Sequence, residues 1–445
     1  MKKENGINFG QLLLYSIVAA LGGLLFGFDI AIITGAGPYL TEEFELSSIQ
    51  EGWVYSSLLF GCILGAAVAG RMTDVWGRKR ILIGVAMLFA LTSVWSAAAD
   101  NVTMLVLARI AGGLAVGAAS TVAPMYISEV SPAKYRGSLV SMYQLFIVTG
   151  ILISYMINYL LHDIGVNNWR WMFASGAIPS VLFLGMLFVV SETPRFLYLK
   201  GKKKEALEVL QRIGGKQLAK EEIEEIKKSI NGSSVSFKML LDPSLRKVLF
   251  VGFGLAVFVQ MSGINTIIDY APKIFASAGM NLDAGLFATF GLGIVNFICT
   301  WVSILIIDRF GRRPLYIIGS AGMTVALLGL TIAGTIGQFS GMIVLFFIVM
   351  FLIFFSSCVG PVFWTYMSEI FPNRIRGTAL SVPVFTQWVF NALIILVFPL
   401  MLNHLSTAIT FGILTVFALG QLLFTFRYMK ETKGKSLEEI ESMWI

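Results

Sequence analysis

One acid in this sequence stands where an acid is costly. Asp29 lies inside the apolar run LLFGFDIAIITG, and Arg109 lies in a second run, VLARIAGG. An ionised carboxylate in hydrocarbon is unfavourable unless it is paired, so an acid in such a run is a functional candidate by default. Arg109 is its expected partner. A carboxylate that alternates between an arginine and a proton loses and regains a full charge inside the protein, which is the chemistry of proton coupling. The bland alternative is a permanent structural Asp29–Arg109 salt bridge.

A second set of charges recurs. Gly70 to Arg80 reads GRMTDVWGRKR and Asp308 to Pro314 reads DRFGRRP; Ser128 to Gly137 reads SEVSPAKYRG and Ser368 to Gly377 reads SEIFPNRIRG. SETPR around Glu192 returns as KETKGKSLEEI around Glu431, and all three repeats share an offset of roughly 240 residues. Carboxylates and guanidiniums at facing helix ends form bidentate pairs. A ring of them, from Asp74, Arg78, Arg80, Glu129, Arg136, Glu192 and Arg195 and again from Asp308, Arg312, Arg313, Glu369, Arg376 and Glu431, would close a gate when formed and open it when broken. Simple topology accounts for the arginines alone but not for the recurring acids.

Other chemistry is excluded. Cys62, Cys299 and Cys358 fall in apolar stretches without ligand or disulfide spacing, and the two histidines, His162 and His404, lie on expected outer loops. No metal centre, cofactor motif or Ser/His/Asp triad assembles, so an enzyme is not expected. GGLAVG lacks the preceding strand that a nucleotide site needs.

The elements that must hold these charges are membrane spans. The 445 residues have only 13% charged side chains, and the mean hydropathy is +0.79, too apolar for a soluble chain of this size. Twelve stretches near 20 residues long are expected at 11–36, 52–70, 81–99, 103–127, 137–161, 170–190, 246–276, 284–307, 314–336, 341–367, 377–403 and 406–428. The first is too long for a cleaved signal and reads as retained. The fold class is therefore all-α: two pseudo-symmetric six-helix bundles, 1–190 and 246–428, a cytoplasmic helical linker at 191–245 and a tail at 429–445. In the linker, Ala206, Leu207, Leu210 and Ile213 share one helical face up to Gly214–Gly215, and Ile223, Ile226 and Ile230 share another. Lys and Arg cluster in alternate loops, which puts both termini and the linker in the cytoplasm of a cell inner membrane. That topology explains the net charge of +7 without nucleic acid. The partners expected are the bilayer and small solutes, with a monomeric chain.

These motifs, with QMSGIN and GPVFW in the same order and spacing, resemble the sugar porters of the major facilitator superfamily over essentially the whole chain. The likeness is greatest to the bacterial proton-coupled xylose and glucose symporters. It implies alternating access and symport of a monosaccharide or cyclic polyol with protons. Two alternatives are a facilitative uniporter and, more remotely, a non-transporting sugar sensor. It implies proton coupling at Asp29, tuned by Arg109. It also implies a sugar site made of Phe26, Gln144, Gln260, Asn265, Asn296, Gly360, Trp364, Gln387 and Trp388. Amides offer a donor and an acceptor to adjacent hydroxyls, and indole faces cover sugar C–H surfaces. The chain departs from the family at Val259, where a glutamine is usual, at Asp269–Tyr270, where paired tyrosines are usual, and at Ser191 and Lys430, where prolines are usual. Asp269 is expected either to accept hydrogen bonds from the sugar or to pair with Lys273 one helical turn on.

Overall fold

The computed structural model describes residues 8–230, 242–371, 376–435 and 437–444. Among them the chain is helical and has no strand. In the first half, α1 (Phe9–Glu43), α2 (Ser48–Trp76), α3 (Arg78–Ala97), α4 (Val102–Val130) and α5 (Ala133–Leu161) are single helices, and α6 (Asn168–Ser175) and α7 (Ala177–Val189) make a sixth span. Then come α8 (Pro194–Leu199) and α9 (Lys203–Ile230). The second half opens with α10 (Arg246–Met261), α11 (Ile264–Asp269) and α12 (Ala271–Ser277), then α13 (Leu282–Phe310) and α14 (Arg312–Thr335). It continues with α15 (Gly341–Phe354), α16 (Gly360–Ile370), α17 (Arg376–His404), α18 (Thr407–Tyr428) and the short α19 (Leu437–Ser442). Twelve of these spans are long and apolar enough to cross a membrane. Large apolar side chains such as Leu91, Phe188, Leu305, Phe346 and Val416 are exposed on them, a surface that suits hydrocarbon and not water.

Local sequence explains where helices begin and break. Asn101, Asn281 and Ser406 each accept a backbone N–H three residues on, at 2.9, 2.9 and 3.2 Å, and so start α4, α13 and α18. Gly263, at φ 87, ends α10, and Pro272 lies in the first turn of α12. The seventh span is thereby broken into three helices. In α9, Gly215 takes φ 72 and interrupts the helix where Gly214–Gly215 predicts a stop. Ala206, Leu210 and Ile213 are buried; Leu207, Ile223 and Ile226 are half-buried, and the side chain of Ile230 lies outside the described residues.

The chain gathers into two compact units. The first holds the described parts of Met1–Ile32, Phe60–Ile157 and Asp163–Ser234; the second holds those of Ile33–Leu59, Asn158–His162 and Val235–Ile445. Within the first, α1 and α5 pack backbone to backbone: a Cβ on Gly27 would collide with the carbonyl of Ile147. Small residues permit that approach. Within the second, the later part of α1, the start of α2 and the end of α5 join the helices of the second half. Three contacts tie the start of α2 into this unit. The Tyr55 ring stacks on Tyr270 with centroids 4.2 Å apart, Asn403 donates to Ser48 Oγ at 2.7 Å, and the carboxylate of Glu51 pairs with the ammonium of Lys273.

Candidate substrate and proton sites

In the first unit, the carboxylate in α1 meets the guanidinium in α4. Arg109 Nη1 donates to Asp29 Oδ1 at 2.8 Å and to the backbone carbonyl of the same residue at 2.9 Å. The arginine side chain is 1% exposed and the aspartate 20%, so the acid is the member with access. Phe173 lies 5.7 Å from the guanidinium carbon and covers one face of it. Beside the carboxylate, Phe28, Ser93, Gly176 and Ser180 border a hollow of water size. A pair in this setting has two states open to it. The carboxylate can hold the arginine, or it can take a proton while the guanidinium keeps the backbone carbonyl.

In the second unit, the amides expected to meet a polyol are partly assembled. Asn265 Nδ2 donates to Gln260 Oε1 at 2.8 Å. The two are five residues apart, a spacing that does not face along a regular helix; the turn at Gly263 brings them together. Their remaining amide groups, Gln260 Nε2 and Asn265 Oδ1, are a donor and an acceptor for a ligand. Asn296 in α13 accepts from Ser356 Oγ at 2.8 Å. Trp364 is 40% exposed and packs edge-on against Phe363, leaving indole surface open. Gly360 begins α16, and Gln387 and Trp388 are half-buried on α17. Asp269 is buried at the end of α11. Lys273, its other expected partner, pairs with Glu51 of α2. Phe26 and Gln144 are half-buried in the first unit.

The repeated charges form one network in each unit. In the first, Arg78 Nη2 meets Glu129 Oε1 at 3.0 Å and Asp74 Oδ1 at 3.7 Å, and Glu192 accepts the backbone N–H groups of Arg78 and Lys79 at 3.1 Å each. Thr193 and Arg195 lie close to Glu129. In the second, Arg312 gives Glu369 two bonds, at 2.8 and 3.1 Å, while Glu431 accepts the N–H groups of Arg312 and Arg313 at 3.0 Å each. Glu192 and Glu431 thus cap the starts of α3 and α14, where a helix dipole favours negative charge. Arg80 is exposed and joins no ion pair or hydrogen bond among the described residues. The side chains of Arg136, Asp308 and Arg376 lie outside the described residues. Sequence reasoning missed Thr432, whose hydroxyl donates to Glu369 at 2.6 Å. The Glu-Thr pair common to SETPR and KETKG is the signal that was there to find it.

With this geometry in view, comparison with known proteins is decisive. The family model for sugar (and other) transporters matches residues 15–444. The chain belongs to the sugar transporter family. The arabinose-proton symporter of Bacillus subtilis is 40% identical, covering 98% of this chain and 96% of that protein. The major myo-inositol transporter IolT of the same organism is 36% identical over 99% and 95%. Among solved structures, the inward-open xylose transporter XylE of E. coli superposes with a TM-score of 0.87 at 35% identity, covering 98% of this transporter and all of that chain. The major facilitator fold and the family recognised from the motifs are confirmed. Family and relatives are transporters, and the twelve apolar helices make this sugar transporter a multi-pass membrane protein.

Proposed function

We propose that the protein is a proton-coupled symporter of a monosaccharide or cyclic polyol at the bacterial inner membrane, with both termini in the cytoplasm. The observation that carries this reading is the Asp29–Arg109 pair inside an apolar span. Its relatives, an arabinose-proton symporter and a myo-inositol transporter, support the substrate class. Protonation of Asp29 removes a charge from the span and releases the guanidinium to its backbone acceptor. The loaded transporter then changes its access, and return of the carboxylate to Arg109 expels the proton inside. Sugar hydroxyls meet Gln144, Gln260, Asn265, Asn296 and Gln387; Phe26, Trp364 and Trp388 cover apolar ring faces, Asp269 accepts from hydroxyls and Gly360 leaves room. The Arg78–Glu129 and Arg312–Glu369 networks serve as the cytoplasmic gate. The protein works as a monomer in the bilayer.

The test is uptake into proteoliposomes with an imposed pH gradient, using L-arabinose, D-xylose, D-glucose and myo-inositol. Asp29→Asn should abolish uphill accumulation and spare exchange of sugar across the membrane. Unchanged accumulation rules out coupling through Asp29. External alkalinisation on sugar addition separates symport from facilitated diffusion.

A further inference from the structure

The tenth span contains an irregularity that the substrate reading above leaves unused. Between α15 and α16, Phe355–Val359 forms a single π turn, in which the N–H of Gly360 bonds to the carbonyl of Phe355. Pro361 supplies the reason. It has no N–H to give to the carbonyl four residues back, and its ring crowds that carbonyl, so the ladder opens by one residue. Isolated π turns recur at functional sites.

The residue that this turn presents is Ser356, 2% exposed. A serine has one proton to donate. Several buried hydroxyls elsewhere in these spans spend theirs on their own helix: Thr289 on Gly285, Ser320 on Tyr316 and Thr425 on Gln421, all at 2.7 to 2.8 Å. Ser356 instead donates across to α13, to Oδ1 of Asn296 at 2.8 Å. The carboxamide oxygen is thereby occupied. The NH2 of Asn296 is turned the other way and donates to no group among the described residues, yet it is not sealed from solvent. A buried residue with its acceptor satisfied and its donors unspent is prepared for a ligand acceptor.

We infer that Ser356 is a positioning residue that locks the amide of Asn296 with its NH2 toward the substrate, making it a dedicated donor to a hydroxyl oxygen of the sugar. An unlocked amide can turn over and offer either group. A locked one distinguishes an oxygen that accepts from a hydrogen that donates. This inference rests on Asn296 belonging to the sugar site.

The experiment measures KM and maximal rate for whichever of L-arabinose, D-xylose, D-glucose and myo-inositol the protein carries fastest. Variants are Ser356→Ala, Ser356→Thr, Asn296→Ala and the Ser356→Ala/Asn296→Ala double. Ser356→Ala should raise KM about fivefold to tenfold with little change in maximal exchange rate. Ser356→Thr, which keeps the hydroxyl, should restore most of it. The double variant should be no worse than Asn296→Ala alone, because a lock has no effect without the amide that it holds. A melting curve in detergent accompanies each variant: loss of thermal stability with KM unchanged marks a packing role and overturns the inference. Additive KM effects overturn it as well. If Asn296→Ala itself leaves KM unchanged, the placement of Asn296 at the sugar falls. If Asn296→Ala raises KM and Ser356→Ala does not, the positioning role falls and the sugar site stands.

Discussion

The two arginine–glutamate networks arise from one repeated sequence pattern, yet they are not finished alike. Each has a glutamate that caps a helix, Glu192 on α3 and Glu431 on α14, and each has an arginine that holds a second glutamate. In the second half the held glutamate is saturated: Arg312 bonds Oε1 twice and Thr432 bonds Oε2 at 2.6 Å. In the first half Arg78 makes one bond to Glu129 and spends another contact on Asp74. Thr193 approaches Glu129 in the corresponding way, but no well-formed hydrogen bond joins Thr193 Oγ1 to Glu129 Oε2. The same residues thus make a tighter knot in the second half. Duplication preserves the chemical parts, and the surrounding geometry decides how many bonds they make.

The largest effect should come from removing the arginines. Breaking a buried pair leaves an uncompensated charge and costs about 3–5 kcal/mol. Arg78→Ala should lower the melting temperature in detergent more than Arg312→Ala does, because Glu129 is 9% exposed and Glu369 is 19%. A larger loss for Arg312→Ala would show that bond number, not burial, ranks the two networks.

An intermediate effect is expected at the capping turns. Gly77 and Gly311 have φ 93 and 89 with extended ψ, a region that side chains avoid at about 1–3 kcal/mol. A Cβ on either would also strike the carboxylate of the capping glutamate, more severely at Gly77. Gly77→Ala should therefore melt lower than Gly311→Ala, and both below the parent. The reverse order would mean that Glu192 moves aside more easily than Glu431.

The smallest effect bears directly on the contrast. Thr432→Val removes a short hydrogen bond to a charged oxygen and should cost about 1–2 kcal/mol. Thr193→Val removes only a looser approach of the hydroxyl to Glu129 and should cost less. If the two variants melt alike, the networks are equivalent in solution and the difference between them disappears.

Much of this was legible in the sequence for physical reasons. Length and apolarity define a span almost by themselves, so the twelve spans could be counted without a structure. An acid and an arginine in apolar helices have few partners other than each other, which made Asp29–Arg109 readable. Partners that depend on tertiary approach were not readable. The partner that Lys273 has in Glu51, 222 residues away in the chain, could not be foreseen from its spacing to Asp269. The Gln260–Asn265 bond needs the break at Gly263, and Ser356 needs the π turn that Pro361 imposes; neither follows from a regular 3.6-residue period. Where the helix departs from its ideal form, pattern reading loses the direction of the side chain.

The position of the two capping glutamates along the chain bears on biosynthesis. Glu192 follows directly on the sixth span, so α3 receives its cap while the second half is still to be translated. Glu431 follows the twelfth, so α14 waits uncapped until that span has been made. Domains that emerge first fold first. The second half therefore passes through insertion with the start of α14 open.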